Sequence, residues 1–364
     1  MNYNKPSHYS ERPIEIELIR SMAHKPLTAK QNNQLNEFLR NAGDTGNAFI
    51  IKTAADWLET PNQQKSTARL FGDFWYQGEL CIMFADTNVG KSILAVQIGD
   101  SLSRGATIPG FHSPEKPEKV LYFDFELSAA QFRQRYSSDT FGKYDFNANF
   151  MRLVFNPDAD GARKFDTYAD YLNNAIENVI VASGARILII DNITCLRSGT
   201  EAAASAVSLM SKLQAIKHQY GLSILVLAHT PKRNPAKPIS RNDLQGSKML
   251  INFADSAFAI GESQTTAGMR YLKQIKQRSG TQMYGADNVC LCRITKPYSF
   301  LHFDFMGHEP EARHLLHYTE QQRKLTEDRI MDLHKQGLTV RAISAETGIA
   351  FSTVFRLIKR VEKA

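Results

Sequence analysis

The chain has 364 residues, 43% hydrophobic and 22% charged, with a formal charge of +7. These are the proportions of a soluble globular protein with enough chain for two or three domains, and the mild basic excess points toward nucleic acid without requiring it. No run approaches the roughly 18 apolar residues of a membrane span, and Met1–Pro6 has no apolar h-region, so the expected location is the cytoplasm, with no membrane partner.

Cysteines stand at 81, 195, 290 and 292, with no Cys/His spacing of a zinc site, and read as free thiols in a reducing compartment. Residues 1–60 are polar and then helical, with an amphipathic helix over Thr28–Asn41 and a short helix Ala54–Glu59 that Thr53 would cap. They read as an N-terminal arm.

Over 61–318 the pattern alternates strands and helices, the signature of an α/β domain built on a mostly parallel sheet. Strands are expected at Leu80–Ala85, Lys119–Phe125, Arg186–Ile190, Leu222–Ala228 and Ser256–Ile260, and helices at Ser92–Ser103, Ala129–Tyr136, Tyr168–Ala182 and Ala204–Gln219. Met269–Gln274, Asn288–Ile294 and Phe300–Phe305 read as an antiparallel edge. Residues 319–364 form a short basic tail of three helices, with Leu333, Ile343, Ile349, Val354 and Ile358 inward and Gly348 in a turn.

The strongest chemical signal is Ala85-Asp86-Thr87-Asn88-Val89-Gly90-Lys91-Ser92, a loop between a buried strand and a helix that opens at Ser92-Ile93. Backbone N–H groups there would face phosphates, Lys91 would reach the β/γ-phosphates, and Ser92 would hold Mg²⁺. Ala85 stands where the usual pattern has glycine; positive φ at that position would cost about 1 kcal/mol.

Four further strand ends carry polar groups. Asp191 closes Arg186–Ile190, where a carboxylate can hold the water shell of Mg²⁺. Asp124 and Glu126 share a face after the Lys119 strand; Glu126 is expected to orient the attacking water, with Asp124 in reserve. His229 or Thr230 would sense the γ-phosphate. Lys276 and Arg278, two apart at a strand end, would either serve as a finger pair in a neighbouring subunit's site or form a solvated charged edge.

The motifs ADTNVGKS, FDFELS, ILIIDN, LVLAHT and KQR, in this order, resemble those of the RecA-like ATPases, in particular the ring-forming helicases of the RepA and DnaB type. The resemblance covers about residues 57–279. It implies a RecA-like P-loop NTPase core that binds ATP and Mg²⁺, with Glu126 as catalytic glutamate, Asp191 as Walker B acid and His229 as sensor. Lys276 and Arg278 then reach into the next subunit of an oligomer, a hexameric ring being favoured.

The resemblance also places DNA-contacting loops after the Walker B and sensor strands. The second is the loop 231–246, where Lys232, Arg233, Lys237 and Arg241 would hold single-stranded DNA. The tail resembles a resolvase-type helix-turn-helix: from 323 to 364, nine Lys/Arg against five acids carry +4 of the chain's charge. Ser352, Thr353, Arg356, Lys359 and Arg360 would meet duplex DNA; a trihelical protein-docking domain is the other reading. The expectation is an ATP-driven DNA motor of a plasmid or mobile element, against a nucleotide-switched regulator or loader that does not unwind.

Overall fold

The computed structural model describes residues 53–59, 68–156, 165, 168–192, 202–244, 248–317 and 320–362, together with four positions between 29 and 37. The chain divides into two compact units, 1–65 and 66–364. In the first, Ala29, Lys30, Asn33 and Glu37 are helical, and the rest of the expected helix over 28–41 lies outside the described residues. Helix α1 (Ala54–Glu59) follows, with Thr53 and Asp56 exchanging side-chain-to-backbone bonds of 3.1 Å. The cap read from the sequence is therefore present.

The second unit is organised by a nine-stranded sheet: β1 (Leu80–Ala85), β2 (Val120–Asp124), β3 (Phe150–Leu153), β4 (Ile187–Asp191), β5 (Ser223–His229), β6 (Ser256–Glu262), β7 (Met269–Lys276), β8 (Val289–Thr295) and β9 (His302–Glu309). Its order is β9-β8-β7-β6-β1-β5-β4-β2-β3, parallel from β6 to β3 and antiparallel from β6 to β9. One strand, β5, separates the strand before the phosphate loop from the strand ending in Asp191. This is a RecA-like P-loop core, with the expected antiparallel edge. Strand β3 and the displacement of β9 toward residue 309 were not foreseen.

Periodicity two explains the core. On β1, Leu80, Ile82 and Phe84 enter a cluster that includes Leu172, Ile176 and Ile180 of α4 (Tyr168–Ser183) and Met210, Leu213 and Ile216 of α5 (Ala202–Tyr220). Cys81, Met83 and Ala85 face the other way, toward Leu94, Val96 and Ile98 of α2 (Lys91–Arg104) and the aromatic residues Phe71, Phe74 and Trp75. A strand buried on both faces must be apolar at every position, as β1 is. Helix α3 (Ala129–Arg135) is capped by reciprocal Ser128 and Gln131 bonds, and α6 (Lys248–Phe253) precedes β6.

The C-terminal segment forms α7 (Glu320–Lys335), α8 (Val340–Thr347) and α9 (Phe351–Glu362). Ile330, Ile343, Val354 and Ile358 make a small core of their own, with Leu333 and Ile349 packed against it. Gly348 closes α8 at φ 70°, a left-handed conformation that suits glycine. Among the described residues no helix is long and apolar enough to cross a membrane.

Candidate functional site

Parallel register brings the polar strand ends to one rim. Ala85 pairs with His229 across β1 and β5, and Asp124 pairs with Asp191 across β2 and β4. Ala85 is ordinary buried strand; left-handed conformations fall instead on Asn88 (φ 63°) and Gly90 (φ 113°), so alanine at 85 carries none of the cost weighed above.

Gly90 is needed twice over. Its φ is rare for any L side chain, and a Cβ there would lie 2.8 Å from Ile294 and Phe303. Gly90→Ala should cost about 2–3 kcal/mol through strain and overpacking, seen as a lower unfolding midpoint together with weakened ATP binding. Gly90 also leaves the start of α2 without a side-chain cap, so its first N–H groups remain available to an anion.

Lys91 is 5% exposed and folds back on the loop, donating to the carbonyls of Ala85 (3.1 Å) and Asp86 (2.8 Å). Its Nζ also lies 3.1 Å from His229 Nδ1. An ammonium only donates, so Nδ1 accepts, and the remaining imidazole hydrogen sits on Nε2, 3.0 Å from Glu126 Oε1. Burial lowers the Lys91 pKa, while the charges of Glu126, Asp191 and Asp86 push it back up.

Glu126 Oε1 also accepts from the Asn192 amide, whose Nδ2 lies 2.8 Å from His229 Nε2. Lys91, His229, Glu126 and Asn192 thus form one continuous polar cluster. Asp124, held in reserve as a base, is otherwise committed: it is salt-bridged to Arg152 Nε at 2.8 Å and accepts from the amides of Glu126 and Leu127.

Asp191 lies beneath this cluster, fully buried, with Tyr122 donating to its Oδ2 at 2.7 Å. Burial pushes its carboxyl up to about 6, against the Ser92 and Tyr122 hydroxyls, which pull it down; Glu126 and Asp124 add to the rise. Its Oδ1 is buried without a hydrogen-bond partner among the described residues, as is Thr230 Oγ1, one residue after His229. A buried carboxylate oxygen left this way is costly unless a cation or its water meets it. Asp191 and Ser92 therefore fit a hard divalent cation that keeps most of its water and phosphate ligands. Among the described residues no group of three or more His, Cys, Asp or Glu is arranged to hold a metal by itself.

Lys276 and Arg278 do not join this rim. Lys276 pairs with Ala257, in line with Ile82, about 10 Å along the strands from Ala85 toward their amino ends. Both side chains close the end of α6: Lys276 Nζ donates to Ile251 O at 2.6 Å, and Arg278 Nη2 to Asn252 O at 3.1 Å. Arg278 also lies 3.3 Å from Asp255 and its side chain stays 55% exposed.

The loop after β5 is built rather than loose over 231–244. Glu311, paired with the buried Lys273, accepts from Ile239 N at 2.8 Å, and Lys273 donates to Ile239 O at 2.7 Å. Arg233 donates to Lys237 O and Arg241 to Ile275 O, while Lys232 and Lys237 are exposed. Residues 245–247 and the segment 193–201 after the Walker B strand lie outside the described residues, Ser247 among them.

On α9, Ser352, Arg356, Lys359 and Arg360 are exposed and Thr353 is half-buried. Arg360 is bridged to Glu327 at 2.8 Å, and Lys359 lies 4.9 Å over the Phe355 ring. Sequence reading missed Tyr122, Asn192 and Arg270; the last reaches from β7 to the phosphate loop, donating to Val89 O at 3.3 Å. Their roles depend on cross-strand neighbours that no local motif announces.

The fold and this rim define a P-loop ATPase. A model of the AAA domain family matches residues 50–235, just over half of the chain, and the chain belongs to that family. A KaiC-like protein from the hyperthermophilic archaeon Pyrococcus horikoshii OT3 is structurally similar at a TM-score of 0.44 and 16% identity, over 66% of this chain and 97% of that one. No curated protein matches.

Proposed function

We propose that the chain is an ATP-hydrolysing, DNA-binding motor of the RepA/DnaB helicase type, assembled as a ring and serving replication, mobilisation or maintenance of plasmid or mobile-element DNA. The observation that carries the catalytic part is the gathering of Lys91, Ser92, Glu126, Asp191 and His229 on one rim. Loop amides and Lys91 bind the phosphates, which draws Lys91 off the carbonyls of Ala85 and Asp86. Glu126 orients water and takes its proton, while His229 reports the γ-phosphate to Glu126 through the imidazole they share.

Asp191 and Ser92 would hold Mg²⁺. When bound, the ion supplies positive charge against the phosphate oxygens. A ring is supported by the place of Lys276 and Arg278, too far along the sheet to serve their own phosphate loop, with Lys276 half-buried and Arg278 exposed where a neighbour could meet it. Lys232 and Lys237, on a loop fixed to the sheet through Ile239, suit contact with the backbone of a single strand.

One observation favours the second reading, a nucleotide-switched regulator or loader. The helices α7–α9 close around a small core of their own and leave cations exposed on α9, which suits docking on a duplex in the manner of a helix-turn-helix. ATP turnover measured with and without single-stranded DNA separates the two. A motor shows stimulation that Lys232→Ala and Lys237→Ala together abolish while basal turnover persists, and it displaces a strand. A switch shows slow turnover, no stimulation and preference for duplex.

A further inference from the structure

We infer that Tyr122 is a positioning residue for the magnesium-side carboxylate, an inference that rests on reading Asp191 as that acid. Tyr122 lies on β2, beside β4 and opposite Ile189, and is fully buried. Its phenol donates to Asp191 Oδ2 at 2.7 Å, and its ring is held against Phe150, with centroids 5.9 Å apart and planes 18° apart.

Packing does not ask for that hydroxyl, since phenylalanine would fill the same slot, and a buried hydroxyl is costly unless it is bonded. What it does is occupy one carboxylate oxygen. Rotation of the carboxyl about its bond is then restrained, and the other oxygen, Oδ1, buried and without a partner among the described residues, is the one presented for ligation. The neighbouring acids cannot take over this task. Asp124 is held by Arg152 and two backbone amides, and Glu126 by Asn192 and His229. Groups that orient a metal-ligating side chain in this way change metal affinity by about 10–100-fold when removed.

The test is the binding of a fluorescent ATP analogue to the full-length chain as Mg²⁺ is varied, for wild type, Tyr122→Phe and Asp191→Ala. Tyr122→Phe should raise the Mg²⁺ concentration at half-maximal binding by about 10-fold, with binding recovered at saturating Mg²⁺ and the unfolding midpoint unchanged. A wild-type Mg²⁺ midpoint in Tyr122→Phe, beside a shifted one in Asp191→Ala, overturns the inference and leaves the site reading standing. Loss of nucleotide binding by Tyr122→Phe at every Mg²⁺ concentration also overturns it, because the hydroxyl would then serve packing. If Asp191→Ala itself leaves the Mg²⁺ dependence unaltered, the site reading fails first.

Discussion

Glu126→Gln is expected to slow ATP turnover by about 10²–10⁴-fold, the usual contribution of a general base, while nucleotide still binds. The amide has nearly the shape of the carboxylate and still offers an oxygen to the Asn192 amide and to His229 Nε2. What it lacks is basicity. The loss should therefore fall on kcat with KM little changed, the pattern of an interaction made only in the transition state. Asp124→Asn should behave differently. Weakening its bridge to Arg152 and its hold on the Glu126 and Leu127 amides should disturb the turn after β2, and so act through stability and the placement of Glu126.

Arg278→Ala is expected to cost about 10³-fold or more in turnover, the lower end of what arginine fingers supply, with little change in stability. The guanidinium is 55% exposed and its bridge to Asp255 is a surface pair of small worth. Its place at the amino edge of the sheet keeps it from the chain's own site, so in the proposed ring the effect would be felt in trans. Mixing Arg278→Ala with Glu126→Gln should restore activity, because each Glu126→Gln subunit still offers Arg278 to a neighbour whose Glu126 is intact. Steady-state turnover across mixing ratios checks this; a flat, inactive series at all ratios rules out the finger assignment.

Five of the parallel strands were legible because each is a nearly unbroken apolar run, which only a strand covered on both faces tolerates, and three of them end in Asp124, Asp191 and His229. The phosphate loop and the carboxylates of Asp191 and Glu126 could be read from local order alone. Strand β3 could not: Phe150–Leu153 is four residues long and includes Arg152, whose charge is explained only by Asp124 across the sheet. Tyr122 and Asn192 were hidden for the same reason, since a phenol or an amide in an apolar run gains meaning from its neighbour on the next strand. The loop after β5 reads from the sequence only as a basic segment for single-stranded DNA, with no sign of what holds it. Its anchor, Ile239 on the Lys273–Glu311 pair, joins residues dozens of positions apart, beyond any periodic pattern.

The central claim is that four separated segments, carrying Lys91 and Ser92, Glu126, Asp191 and His229, meet one triphosphate and its magnesium on the carboxyl rim of a single sheet. Calorimetric titration of the full-length chain with ATP in Mg²⁺, beside Lys91→Ala, tests it most directly. Saturable heat near one ATP per chain is predicted for wild type. Affinity should be weakened about 100-fold in the variant, the worth of one strong charged hydrogen bond of about 3 kcal/mol. No binding heat from the wild-type chain, or equal affinity in Lys91→Ala, would contradict it.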